Sequence, residues 1–234
     1  MKQLLHSTFR TTLLTLLTLA AASGLKAQEK EYLYEIGGGL GMSWGWNDVN
    51  SSSPIYKPSA SFGAVWRYNL NLRWALATEI QSLGLRGDTN DFSYAFPTGS
   101  YHYSTRYWQV GVRPEIHFWN YGWGSDYRDK RRYTPFLTLG IAGGMVTGGD
   151  EAHFAWGIPL GAGFKWKMNK RWNVQLSGIV TKAFSDELDG IVDPEGIRTS
   201  GLAGNDWTAQ IQMTVTFDFK ERCIECHNQH YYGK

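Results

Sequence analysis

The sequence predicts an all-β protein, an eight-stranded antiparallel transmembrane β-barrel. Three observations carry that expectation. Trp207 to Phe219 alternates without a break: Trp207, Ala209, Ile211, Met213, Val215, Phe217 and Phe219 are apolar, and Thr208, Gln210, Gln212, Thr214, Thr216 and Asp218 lie between them. A period of two puts one set on each face of a strand, which suits a wall with lipid outside and polar groups inside. The pattern recurs along the chain, separated by turn-like segments. Aromatic residues make up 15% of the sequence, with 11 Trp, an enrichment that suits membrane-interface girdles.

The first 27 residues read as a secretory signal peptide. Lys2 and Arg10 form a positive n-region, Leu13 to Ala22 a short apolar stretch, and Ala27 a small residue at the cleavage position, with bulky Leu25 an imperfect −3 residue. The apolar run is too short and too rich in threonine for a membrane anchor. Removing Lys2, Arg10 and Lys26 leaves 20 basic against 21 acidic residues, so net charge near neutrality gives no sign of a nucleic-acid partner. The negative mean hydropathy is compatible with a barrel, because only alternate residues meet lipid.

The strands follow in order. Tyr32 to Trp46 places Tyr34, Ile36, Leu40, Met42 and Trp44 on one face and mostly glycine, with Glu35, on the other. Ser59 to Tyr68 turns Phe62, Ala64 and Trp66 outward and Arg67 inward, and a tight turn at Asn69-Leu70-Asn71 follows. Arg73 to Ser82 puts Trp74, Leu76, Thr78 and Ile80 on one side and Arg73, Glu79 and Gln81 on the other. Tyr103 to Trp119 separates Trp108, Val110 and Ile116 from Gln109, Arg113, Glu115 and His117, with Pro114 a conflict that a bulge would resolve. Tyr133 to Val146 is glycine-rich and less regular. His153 to Met168 is a second clean alternation, with Lys165 and Lys167 inward, and Asn169-Lys170 is a two-residue turn. Trp172 to Phe184 and Trp207 to Phe219 complete the set.

Eight strands close a barrel just wide enough for side chains to fill. The inward charges Glu35, Arg67, Glu79, Arg113, Glu115, Lys165 and Lys167 are expected to pair and plug it. A soluble barrel or sandwich, the alternative, would instead bury its apolar face inside. Short turns face the periplasm in bacterial barrels and an even strand number puts both termini there. Residues 47–58, 85–102, 147–152 and 185–206 are then external loops. The middle of the three inner turns, Asn120 to Arg132, is long and carries Arg128, Lys130, Arg131 and Arg132, read either as solvated cations or as a docking patch for a periplasmic partner. A polar tail, residues 220–234, follows the terminal aromatic Phe219.

Within that tail, Cys223-Ile224-Glu225-Cys226-His227 has the spacing for covalent haem attachment. A short polar tail offers haem no apolar pocket. Zinc held by Cys223, Cys226, His227 and His230 is a second option. The leading reading is a disulfide between Cys223 and Cys226, or to a partner, in an oxidising periplasm. No cofactor or metal is expected. No Ser/His/Asp arrangement stands out and no phosphate, EF-hand or nucleic-acid motif is present, so the protein reads as a non-enzyme. Solute binding or passage, and lipid modification, are the competing functions.

Several ordered segments carry a resemblance. They include Glu35-Ile36-Gly37-Gly38-Gly39-Leu40-Gly41, Phe62-Gly63-Ala64-Val65-Trp66-Arg67-Tyr68-Asn69 with Arg73-Trp74-Ala75, and Asp126-Tyr127-Arg128 before Tyr133-Thr134-Pro135-Phe136. Lys170-Arg171-Trp172-Asn173, Ser185-Asp186-Glu187-Leu188-Asp189-Gly190 and Asp193-Pro194-Glu195-Gly196-Ile197 follow. Together the chain resembles the PorG-type outer-membrane barrels of the Bacteroidetes type IX secretion system. The resemblance implies an outer-membrane secretion component that is neither an enzyme nor the translocation pore. It also implies association with a periplasmic ring built from a lipoprotein and its partner protein.

Overall fold

The computed structural model describes residues 32–46, 55, 57–88, 102–123, 130–148, 152–184 and 207–221. The expected signal peptide, Arg128 and the tail from residue 222 on, with Cys223 and Cys226, lie outside them, as does half or more of each expected external loop. Among the described residues nine strands form: β1 (Tyr32–Trp46), β2 (Ser59–Asn69), β3 (Trp74–Asp88), β4 (His102–His117), β5 (Tyr133–Leu139), β6 (Ile141–Thr147), β7 (His153–Lys167), β8 (Trp172–Ala183) and β9 (Trp207–Glu221). Each pairs antiparallel with its neighbours. β1 pairs β9 from Tyr32↔Glu221 to Trp46↔Trp207, so the sheet closes on itself. β5 and β6 are two halves of one stave between β4 and β7. The wall therefore has eight staves, as the alternation predicts.

Pro114 causes no bulge. It sits in an unbroken β3–β4 register opposite Leu76. On its other side the register puts it opposite Leu139, and it puts Pro159 of β7 opposite Gly140. Neither proline can donate to the ladder, so two consecutive carbonyls lose their wall donors and the stave is interrupted. Gly140 still donates to the Pro159 carbonyl at 3.0 Å. A Cβ at Gly140 would lie 2.2 Å from the Val112 carbonyl oxygen, so only glycine fits this approach.

Two short turns share one device. Asn71 Oδ1 accepts from the backbone N–H groups of Arg73 (2.8 Å) and Trp74 (2.7 Å). Asn169 Oδ1 accepts from those of Arg171 and Trp172, both at 2.9 Å. An asparagine side chain replacing a missing backbone acceptor fixes such a turn, and Asn-X-Arg-Trp marks both. Arg73, expected inside the wall, lies at this turn, exposed, and donates from Nε to Asn120 Oδ1 at 3.0 Å.

Three boundaries differ by more than one residue from the alternation reading. β3 runs six residues beyond Ser82, so Leu85 and Arg86 belong to the wall rather than a loop. β4 ends at His117, although Phe118 still donates to the Pro135 carbonyl in the same register. β9 continues past Phe219 to Glu221, where Tyr32 donates from its hydroxyl to Glu221 at 2.8 Å.

Most outward positions stay bare, with Trp44, Ser82 and Ala209 covered by neighbours. Leu40 is 74% exposed, Ile141 66% and Phe154 63%. Such a belt of apolar side chains is intolerable in water and stable in hydrocarbon. Inward, the set is not uniformly polar. Leu83, Leu85, Tyr107, Val146, Ala155 and Ala183 form an apolar cluster at the end of the lumen opposite the Asn turns, with Ile179 also fully buried. The longer β3 supplies both leucines of that cluster.

Candidate functional site: a plugged lumen and a capped mouth

All seven inward charges expected from the sequence are buried in the lumen: Glu35, Arg67, Glu79, Arg113, Glu115, Lys165 and Lys167 are each at most 7% exposed. Arg67 is the hub. From β2 its Nη1 donates to Glu35 Oε2 of β1 at 2.5 Å, and its Nη2 donates to Glu115 Oε1 of β4 at 3.1 Å and to Gln175 Oε1 of β8 at 2.8 Å. Its Nε lies 2.9 Å from Glu115 Oε2. One side chain thus spans the barrel from wall to wall. Glu35 also accepts from Lys165 Nζ (2.9 Å), Asn69 Nδ2 (3.1 Å) and Thr216 Oγ1 (3.1 Å). A carboxylate taken out of water needs this many charged and polar donors.

Asp218 completes the lower layer. It accepts from Lys167 and from Asn173 Nδ2, the latter at 2.6 Å. The layer then holds three carboxylates (Glu35, Glu115, Asp218) against three cations (Arg67, Lys165, Lys167). Neutrality within a dry lumen is what makes such a cluster tolerable. Asp218 stood on the polar face of the alternation, but nothing in spacing alone pairs it with Lys167, 51 residues away.

Above this layer Arg113 pairs with Glu79, which also accepts from Gln81 Nε2 at 2.6 Å. Gln81 is a second hub. Its Nε2 donates to Gln212 Oε1 (3.0 Å), and its Oε1 accepts from Gln109 Nε2 (2.8 Å) and Gln210 Nε2 (3.1 Å). These amides cross the lumen at mid-height, and the apolar cluster fills the space beyond.

The long turn after β4 folds into the opposite end of the lumen. Tyr121, which sequence reasoning passed over as part of a charged turn, is buried and donates from its hydroxyl to Asn173 Oδ1 at 2.7 Å. Burial pushes its phenol well above the ordinary tyrosine range, so it remains a donor. Its ring covers Lys165 and Lys167 at 5.0 and 5.2 Å and meets His117 edge-on at 5.5 Å. His117 Nε2 lies 3.7 Å from Glu115. The space left at this mouth, lined by Tyr32, Asn71, Tyr121, Lys167 and Asp218 among others, is about 30 Å³, room for one or two waters.

Of the expected docking cations, Arg131 sits over the Trp119 ring at 4.9 Å and Arg132 over Trp123 at 3.9 Å. Lys130 lies along Gly122, whose added Cβ would meet Lys130 Cδ at 3.3 Å. The Arg131 and Arg132 guanidiniums are thus seated on aromatic rings of the cap, and the Lys130 stem lies along it. Among the described residues no group of three His, Cys, Asp or Glu side chains is placed to hold a metal ion. The lumenal carboxylates Glu35, Glu79, Glu115 and Asp218 are each engaged by a cation.

The fold resembles solved outer-membrane barrels at low sequence identity. The N-terminal β-barrel domain of Pseudomonas aeruginosa OprF is 14% identical, with 81% of this chain and 100% of that one covered and a TM-score of 0.43. The attachment invasion locus protein Ail of Yersinia pestis is 14% identical over 81% and 100%, with a TM-score of 0.46. P. aeruginosa OprG is 9% identical over 82% and 98%, with a TM-score of 0.47. No curated protein matches the chain significantly. The model of the outer membrane protein β-barrel domain matches residues 12–219. With a closed antiparallel wall, an apolar outer belt and a match over most of its length, the chain belongs to the outer membrane protein β-barrel domain family.

Proposed function

We propose that this protein is a non-enzymatic outer-membrane component of protein secretion, of the type IX kind. In this reading the barrel anchors or docks a periplasmic ring of a lipoprotein and its partner protein, and both chain ends lie in the periplasm. One observation carries the reading: Arg67, Glu35, Glu115, Gln175 and Lys165 bridge the lumen from wall to wall. A barrel blocked in this way has its ends and outer wall left for function, not its bore. The Asn-turn end supports a periplasmic assignment, because its two hairpins are short. The same end carries Lys130, Arg131 and Arg132 on a folded cap, a shaped basic rim rather than a loose loop. The ordered motifs shared with PorG-type barrels point to the same system.

Deletion of the gene in its native host, with comparison of supernatant and cell-surface proteomes, tests the proposal. Selective loss of secreted cargo, restored by complementation, is the expected result. An unchanged secretome overturns it.

A further inference from the structure

The outer wall carries a groove that is unlike the rest of the apolar belt. Across four strands the register places Gly38 beside Val215 on one side and Ala64 on the other, and Ala64 beside Ile80. The next outward row reads Met213, Leu40, Phe62, Ser82 and Trp108. Small Gly38, Ala64 and Ser82 form the floor. Leu40, Phe62, Ile80, Trp108, Met213 and Val215 form the walls of a trough of about 600 Å³. That is room for acyl chain, and the lining offers almost nothing polar to a headgroup.

Two arginines stand at one end of the trough, whose own lining carries no charged residue. Arg106 of β4 is the next outward residue beyond Trp108. Its Nη1 donates to Ser82 Oγ at 3.0 Å, and its guanidinium lies over the Phe62 ring at 5.6 Å. Two groove residues thus hold Arg106 at the rim and use one of its five donors. Arg86, exposed on β3, stands diagonally from it: Arg86 pairs with Ser104, and Arg106 with Gly84. Diagonal neighbours on one face of a sheet are about 7–8 Å apart. Two like charges so placed on a wall that otherwise meets lipid repel one another unless an anion lies between them. Arginine forks suit phosphate oxygens, and arginine is tolerated on a lipid-facing wall only near the headgroup level.

We propose that this trough is a binding site for one phosphorylated glycolipid of the outer leaflet, a lipid A, with an acyl chain along Gly38 and Ala64 and a phosphate clamped by Arg86 and Arg106. The assignment rests on the orientation proposed above, which sets Asp88 and His102 at the external end. It is independent of any part in secretion.

Delipidated full-length protein in detergent, titrated with bis-phosphorylated lipid A and read by native mass spectrometry, provides the test. One retained lipid A per barrel is expected, with binding at least ten-fold weaker for the R86Q/R106Q variant and for phosphate-free lipid A. Ala64→Leu, which fills the trough and leaves both arginines, should weaken binding as well. Heat-modifiable gel migration verifies that each variant is closed. If the double variant does not fold, R86Q and R106Q alone decide the matter. Undiminished binding by the arginine variants overturns the site. Equal or tighter retention of phosphatidylglycerol also overturns it, whether through unspecific annular lipid or a reversed orientation. A normal secretome on gene deletion leaves this result untouched, so the two proposals fail separately.

Discussion

Replacing Arg67 by methionine keeps the stem and removes the charge at the centre of the lumen. Arg67 is fully buried and bonded to Glu35, Glu115 and Gln175. Its loss leaves three carboxylates against two cations in the lower layer. Breaking a buried ion pair from one side costs about 3–5 kcal/mol, a large part of the roughly 5–15 kcal/mol that holds a typical fold. Glu115→Gln alone leaves Arg67 with Glu35 but loses a charge-assisted bond, a cost of about 1.5–3 kcal/mol. The double variant is neutral again, so it should lose about 2 kcal/mol less than the two single losses together. Urea titration of the protein folded into vesicles, read by tryptophan fluorescence and by gel migration, gives all three values. Single losses that add to within about 0.5 kcal/mol would refute the coupled cluster.

Further outcomes follow from the same geometry. Gly140→Ala should destabilise by about 1–3 kcal/mol, since its Cβ would meet backbone oxygen at 2.2 Å, whereas Gly178→Ala, with open space around it, should stay within about 0.5 kcal/mol; urea midpoints of the two decide this. Tyr121→Phe keeps the ring over Lys165 and Lys167 and removes the bond to Asn173, so a loss of about 1 kcal/mol is expected in the same titration. The intact protein in planar bilayers should give no steady conductance, and stable channels would argue against the bridged lumen. Charge reversal at Lys130, Arg131 and Arg132 together with Arg128 should weaken co-purification of the periplasmic ring while gel migration stays unchanged. Unchanged co-purification would reduce these residues to a solvated rim.

Much of the wall was legible because a barrel strand states its two faces in alternate letters. β9 and β7 were read almost to the residue, and so was the inward placement of Glu35, Arg67 and Lys165. The pairing of those charges was not legible, because Arg67 and Gln175 meet only when β2 and β8 face one another across a closed ring. The extension of β3 was missed because Gly87-Asp88 read as loop, although Leu83 and Leu85 alternate with Gly84 and Arg86 as they should. Tyr121 was hidden by its neighbours: a lone aromatic in a charged turn carries no periodicity, and only the Asn173 acceptor explains its burial. The broken stave had a signal in Pro114, Gly140 and Pro159, but those residues are adjacent in the sheet and not in the chain.

The pairing of β1 with β9 sets the order in which this molecule can come into being. Tyr32 and Glu221 are 189 residues apart, and at Gly37 and Gly41 the β9 backbone comes so close that any added Cβ would lie near 2 Å from it. The first strand made is therefore the last to find its mate. Until the C-terminal strand has crossed into the periplasm, β1 is an open edge with a lipid-seeking face, a state prone to aggregate. Contacts this distant in sequence also form slowly. The wall is therefore incomplete until its two most distant strands meet, and closure of this one seam completes it.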